Sequence, residues 1–86
     1  MICSVEISMY PLKEDFKPLI IAFIKNLSKY SFVTVATNGM STQVFGEYKR
    51  VMNAINTEIE STFLNENSVV FNLKVINSYL EEKPKL

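Results

Sequence analysis

Between Ile2 and Tyr10, the residues Ser4, Glu6, Ser8 and Tyr10 alternate with Cys3, Val5, Ile7 and Met9, the period-two pattern of a strand with one buried face and one open face. An acid flanked by two serines on the open face is a poor strand former unless it has a partner. Glu6 therefore either accepts from a cationic or amino-bearing ligand, or pairs with Lys74 on the same face of an adjacent strand. Tyr10 ends the row, and Phe45 belongs to the same face further along the chain; such rings stack on a heteroaromatic ligand, hold a cation, or pack between subunits. A second group, Thr37, Asn38, Ser41 and Thr42, sets hydroxyls and an amide around the turn dipeptide Asn38-Gly39, where short polar side chains bond to backbone or to ligand.

Other chemistries find no residues to carry them. The chain has no histidine, which removes Ser-His and Cys-His pairs and every zinc site built on imidazole. Its single cysteine, Cys3, cannot form an internal disulfide and falls on the buried strand face, where a thiol acts as a small hydrophobe. No two carboxylates share a strand face, since Glu14-Asp15 opens a helix and Glu81-Glu82 lies in a tail, so metal and glycosidase sites are unsupported. Nine Lys and Arg balance nine Asp and Glu, which gives no long-range attraction for nucleic acid or an anionic membrane. The longest apolar run, Leu19 to Ile24, is far short of the ~20 residues that cross a bilayer. With no secretory leader pattern at the start, these features predict a cytoplasmic protein without membrane contact.

The elements that must position the candidate residues follow from the same patterns. Pro11 ends the first strand, and Asp15 is placed to cap a helix in which Phe16, Leu19, Ile20, Phe23, Ile24 and Leu27 recur at helical spacing, with Pro18 in the first turn. Phe32 to Thr37 and Met40 to Phe45 flank Asn38-Gly39 as a hairpin. Gly46 breaks the pattern before a second helix, with Tyr48, Val51, Met52, Ile55, Ile59 and Phe63 on its apolar stripe and an end near Asn65. Val69 to Ile76 is the last strand. The order β-α-β-β-α-β predicts an α+β, ferredoxin-like fold: a four-stranded antiparallel sheet with two helices on one face. Right-handed crossovers place the first and third strands in the centre. At 86 residues the chain is a single domain, residues 1–77, followed by a polar tail, 78–86, that is solvated or loosely docked. A domain of this size buries ~60% of its unfolded surface, so self-association is a natural supplement.

The helices cover one sheet face and leave the other uncovered. That face is expected to carry Ser4, Glu6, Ser8, Tyr10, Ser41, Gln43 and Phe45, with Thr34, Ala36, Asn72, Lys74 and Ile76 on the edge strands. It is richer in hydroxyls and rings than a bare solvent face, which suggests cover by a ligand, another subunit, or both.

Three segments carry a resemblance. Val5-Glu6-Ile7-Ser8-Met9-Tyr10-Pro11-Leu12, the stretch from Thr37 to Gly46, and Val70-Phe71-Asn72-Leu73-Lys74-Val75 resemble the signature blocks of the thiamine-binding, YkoF-related family. The most telling are Ser8, Tyr10 and Pro11 in an S-x-Y-P strand end, and the Ser41-Thr42 pair opening the third strand. The resemblance implies the same ferredoxin-like fold, assembly through sheet surfaces as a dimer or tetramer, and binding of thiamine or its hydroxymethylpyrimidine moiety with no catalysis and no cofactor. It also implies that Glu6, Ser8, Tyr10, Asn38, Ser41, Thr42 and Gln43 lie at or near the ligand. Strand alternation reaches most of these independently but turns Thr42 inward. Because the sequence has neither a basic cluster nor a glycine-rich phosphate cradle, the unphosphorylated compound is favoured over the diphosphate.

Three other classes compete with this one. A structural or regulatory homo-oligomeric module would pair its open face with another copy and admit no small molecule. An RNA-recognition domain shares the strand order, but the third strand lacks the basic-glycine-aromatic signature. A small acyl phosphatase would need an arginine in a phosphate-binding loop, whereas Arg50 falls on the second helix.

Overall fold

The ten alternating residues of the first strand, β1 (Ile2–Pro11), make it the longest in the sheet and its centre. In the computed structural model, which describes residues 1–84, β1 is followed by α1 (Lys17–Ser28), β2 (Val33–Thr37), β3 (Thr42–Glu47), α2 (Tyr48–Asn65) and β4 (Val69–Ile76). The strands form one antiparallel sheet in the order β2-β3-β1-β4. This is the ferredoxin-like arrangement, with the first and third strands central.

The register decides which side chains meet. Glu6 lies opposite Gln43 on β3 and Lys74 on β4, Ser4 opposite Phe45 and Ile76, Ser8 opposite Asn72, and Tyr10 opposite Val70. β1 pairs with β4 as far as Pro11 and Val69, but with β3 only as far as Ile7 and Thr42. The segment from Ser8 to Pro11 therefore projects beyond the end of β3.

Cys3, Val5, Ile7 and Met9 point into a core that they share with Phe23, Leu27, Val44, Val51, Ala54 and Ile55. Burial of these side chains, each worth roughly 1.5–3 kcal/mol for the larger ones, fixes the register, because a one-residue slip would turn the apolar set to the open face. Phe71 extends the core toward β4, with its ring centroid 4.9 Å from Phe23 and 5.7 Å from Phe63.

Several local features depart from the sequence reading. Asp15 does not cap α1: Phe16 stands at the cap position with helical dihedrals, and no side chain accepts there. The Phe16 carbonyl already receives the Ile20 N–H, at 3.4 Å, so the extended conformation that a capping side chain requires is missing at that residue. The hairpin turns on Gly39 and Met40 rather than on Asn38-Gly39. The Asn38 N–H donates to the Ser41 carbonyl at 3.1 Å, and Asn38 Oδ1 accepts from the N–H groups of Met40 at 2.8 Å and Ser41 at 3.1 Å. β3 begins two residues later than expected as a result. It also continues through Gly46, where no break occurs. A Cβ on Gly46 would stand 3.0 Å from the Phe32 carbonyl oxygen and 3.0 Å from Val51 Cγ2, at a φ of +156°. The glycine is there for close packing of α2 on the hairpin. Glu47 then caps α2 by accepting from the Lys49 N–H at 2.7 Å.

The chain after β4 turns back over the open face. Ser4 Oγ donates to the Ser78 carbonyl at 2.7 Å and accepts from the Leu80 N–H at 2.9 Å, while the Tyr79 ring meets Phe45 edge-on with centroids 6.0 Å apart. Ser4 and Phe45 are buried as a consequence. Of the expected tail 78–86, positions 85 and 86 lie outside the described residues.

Candidate functional site

Where β1 outruns β3, a cavity of about 480 Å3 opens, within the ~300–1,000 Å3 range of small-molecule sites. The projecting end of β1, from Ile7 to Pro11, forms one wall. Phe16, Ile20, Phe23 and Ile24 of α1 form another, and the hairpin from Thr37 to Thr42 a third. Among the described residues no charged side chain lines it. The walls are mainly apolar, with the polar groups concentrated at the hairpin and at Ser8.

Of the seven residues singled out from the sequence, the cavity brings together Ser8, Tyr10, Asn38, Ser41 and Thr42. Thr42 is buried and turned inward, as strand alternation requires, and its hydroxyl lies 2.9 Å from that of Thr37. Asn38 contributes its amide NH2 at most, because its carbonyl oxygen is taken by the turn. Tyr10 is 53% exposed at the mouth, where its ring is free to cover a planar group.

Glu6 and Gln43 stand outside the cavity lining, on the open face, but are joined to it through Ser41. Gln43 Nε2 donates to Ser41 Oγ at 2.9 Å, and Ser41 Oγ donates to Glu6 Oε2 at 2.8 Å. On the other side, Lys74 Nζ lies 3.5 Å from Glu6 Oε1. The Ser41 hydroxyl, and after it the Lys74 ammonium, hold the Glu6 carboxyl below its ordinary value of 4.5. The acid thus has the partner that its place in a central strand demands, and the bridge to Lys74 is present. The Lys74–Glu6–Ser41–Gln43 chain also fixes the Ser41 hydroxyl at the cavity edge.

The α1 side of the cavity was not legible as a site. Phe16, Ile20 and Ile24 recur at four-residue steps and read as ordinary core positions, yet Phe16 stays 42% exposed because no strand lies opposite it. The only sequence signal was the difference in length between the first strand and the third.

Among the described residues no helix is long and apolar enough to cross a membrane, and no three Cys, Asp or Glu side chains gather in a metal-binding group. Cys3 is fully buried, and desolvation, with Glu47 nearby, raises its pKa, so its thiol is inert.

With this geometry in hand, comparison with solved structures finds the same architecture in several small proteins. A hypothetical protein from Methanocaldococcus jannascii superposes with a TM-score of 0.75 at 21% identity, over 99% of this chain and 88% of that one. A candidate thiamine biosynthesis or salvage protein from Thermotoga maritima gives 0.79 at 19% identity, over 91% and 85%. A domain of unknown function from Bacillus cereus, of the DUF77 type, gives 0.71 at 13% identity, over 92% and 78%. The likeness is one of fold. No family model matches the chain, and no curated protein is significantly similar to it.

Proposed function

We propose that the protein reversibly binds thiamine or its hydroxymethylpyrimidine moiety, without turnover, in the cavity between the end of β1, the β2–β3 hairpin and α1. The observation that carries this reading is the cavity itself, a mainly apolar space of about 480 Å3 lined also by Ser8, Asn38, Ser41 and Thr42 and by the half-exposed Tyr10. A pyrimidine ring suits it: apolar walls take the ring faces, Tyr10 stacks on it, and the hydroxyls supply directional bonds. The thiazolium of intact thiamine would extend toward the open face, where Glu6 offers the nearest negative charge. A diphosphate would meet no basic side chain among the lining residues, so the unphosphorylated compounds are favoured. Support from outside the chain comes from the Thermotoga maritima protein of like fold, a candidate thiamine biosynthesis or salvage protein.

The test is calorimetric titration with thiamine, hydroxymethylpyrimidine and thiamine diphosphate at equal pH and salt. Saturable binding of either unphosphorylated compound is expected. Absence of both heat and thermal stabilisation with all three would overturn the reading.

A second reading, an assembly module that pairs its open face with another copy, is favoured by one observation: Tyr10, Val70 and Ile76 leave that face 53%, 50% and 45% exposed. The two readings are compatible, since the cavity opens at one end of the same sheet. Sedimentation analysis distinguishes a dimer or tetramer from a monomer, with and without the pyrimidine.

A further inference from the structure

We infer that the backbone of Met9 is the recognition element of this cavity: its N–H and C=O, left without a partner where β3 stops, receive the adjacent acceptor and donor of an aminopyrimidine edge. The inference rests on the pyrimidine reading above and specifies which atoms would select that ring.

In an antiparallel pair, a residue that exchanges hydrogen bonds with one neighbour turns both of its backbone groups to that side, and the next residue turns to the other. Leu12 N–H donates to the Ser68 carbonyl at 3.0 Å, so the even-numbered residues of β1 face β4. Tyr48 N–H donates to the Met1 carbonyl at 2.8 Å, so the odd-numbered residues face β3. Cys3, Val5 and Ile7 meet Gly46, Val44 and Thr42 there. Met9 is the next in line, and continuing the register would place Met40 opposite it.

Met40 is not available. The Asn38 side chain gathers the N–H groups of Met40 and Ser41 into the turn, which ends the ladder at Thr42. By this alternation Met9 N–H and C=O turn away from β4, where Met9 stands opposite Phe71, toward the side on which the pairing with β3 has already ended at Ile7 and Thr42, and Met9 lines the cavity. Backbone groups removed from water are nearly always paired, by protein, water or ligand. A single residue with both groups on one side presents a donor and an acceptor a few ångströms apart. An aromatic ring nitrogen next to an exocyclic amino group matches that pair, in plane, as acceptor and donor.

A peptide strand is a poorer occupant of the same edge. Two residues on, Pro11 has no N–H to give, so the overhang offers one complete bonding residue and not the alternating row that strand addition requires. The α1 wall also approaches from the helix side with Phe16 and Ile20, which suits a flat ring and not a chain with side chains on both faces.

The test uses the intact protein, 15N-labelled and assigned, with two probes. These are hydroxymethylpyrimidine and its analogue with methyl in place of the 4-amino group, which keeps the size and the ring nitrogens but removes the donor. Saturation with hydroxymethylpyrimidine should slow exchange of the Met9 amide about tenfold or more while leaving the ladder-bonded amides of Ile7 and Tyr10 little changed. The methyl analogue should bind about tenfold more weakly, because the Met9 carbonyl is then buried without a donor. If hydroxymethylpyrimidine binds but the Met9 amide is unaffected, or the analogue binds equally well, the Met9 inference is wrong while the pyrimidine reading stands. If neither compound binds, both fall together.

Discussion

The hydroxyl of Ser41 donates to Glu6 Oε2 at 2.8 Å although the two residues stand 35 positions apart. This bond ties the hairpin turn to the middle of the central strand, and through Lys74 to the edge strand on the far side. The only acid on β1 is therefore a structural junction as well as a neighbour of the cavity.

Stability should follow the charge of that junction. Because the Ser41 hydroxyl and the Lys74 ammonium lower the Glu6 pKa in the folded protein, the folded state favours the carboxylate. The resulting stabilisation is complete above the unfolded value of about 4.5 and is lost as the pH falls through the lowered folded value. Wild type should melt higher than Glu6→Gln at pH about 6, and the two melting temperatures should converge as the pH falls through that lowered value. A difference that persists unchanged in acid would show that the charge of Glu6 is not what matters.

Tyr10 should act on the ligand and hardly at all on the fold, since half of its surface is open. Stacking of rings contributes about 0.5–1.5 kcal/mol. Tyr10→Leu should therefore weaken hydroxymethylpyrimidine about three- to tenfold in calorimetry, while Tyr10→Phe keeps most of the affinity. Equal losses in both variants would point to the phenolic hydroxyl instead of the ring.

Gly46→Ala places a methyl 3.0 Å from both the Phe32 carbonyl and Val51 Cγ2. Neither neighbour is the free end of a flexible chain, so the helix or the hairpin must move. A loss of about 1–3 kcal/mol in urea unfolding is expected.

Ser4→Ala removes both bonds that hold the chain from Ser78 to Leu80 against the sheet. The Leu80 amide should exchange faster, and the global stability should drop by about 1 kcal/mol. Fluorescence of Tyr79 should report its departure from Phe45. If the Leu80 amide is equally protected in the variant, the Tyr79 contact alone secures the segment.

The strands and helices were legible because alternation and helical periodicity report which face of an element is buried. That was enough to put Glu6 and Lys74 on one face of adjacent strands, leaving open whether Glu6 pairs with Lys74 or with a ligand, and to turn Thr42 inward. Periodicity does not report what lies opposite a buried face. Phe16, Ile20 and Ile24 have the spacing of core residues, and only the position at which β3 ends makes them a cavity wall. That end point depends on Asn38 Oδ1 taking two backbone N–H groups, whereas Met40 and Ser41 still alternate as a strand would. The role of Gly46 required the approach of Val51, and the partners of Ser4 lie more than seventy residues away, where no local pattern reaches.

β1 has ten residues and β3 has six, and the cavity is the space that this mismatch leaves. Its existence is thus a property of segment lengths before it is a property of side chains. Two residues added to the hairpin would let β3 run on as far as Met9 and narrow the space with every lining residue unaltered, whereas many substitutions in the walls would leave an opening of some shape. Loops accept changes of length more readily than strands accept changes of register. In this chain the presence of the cavity is accordingly decided by the length of one turn.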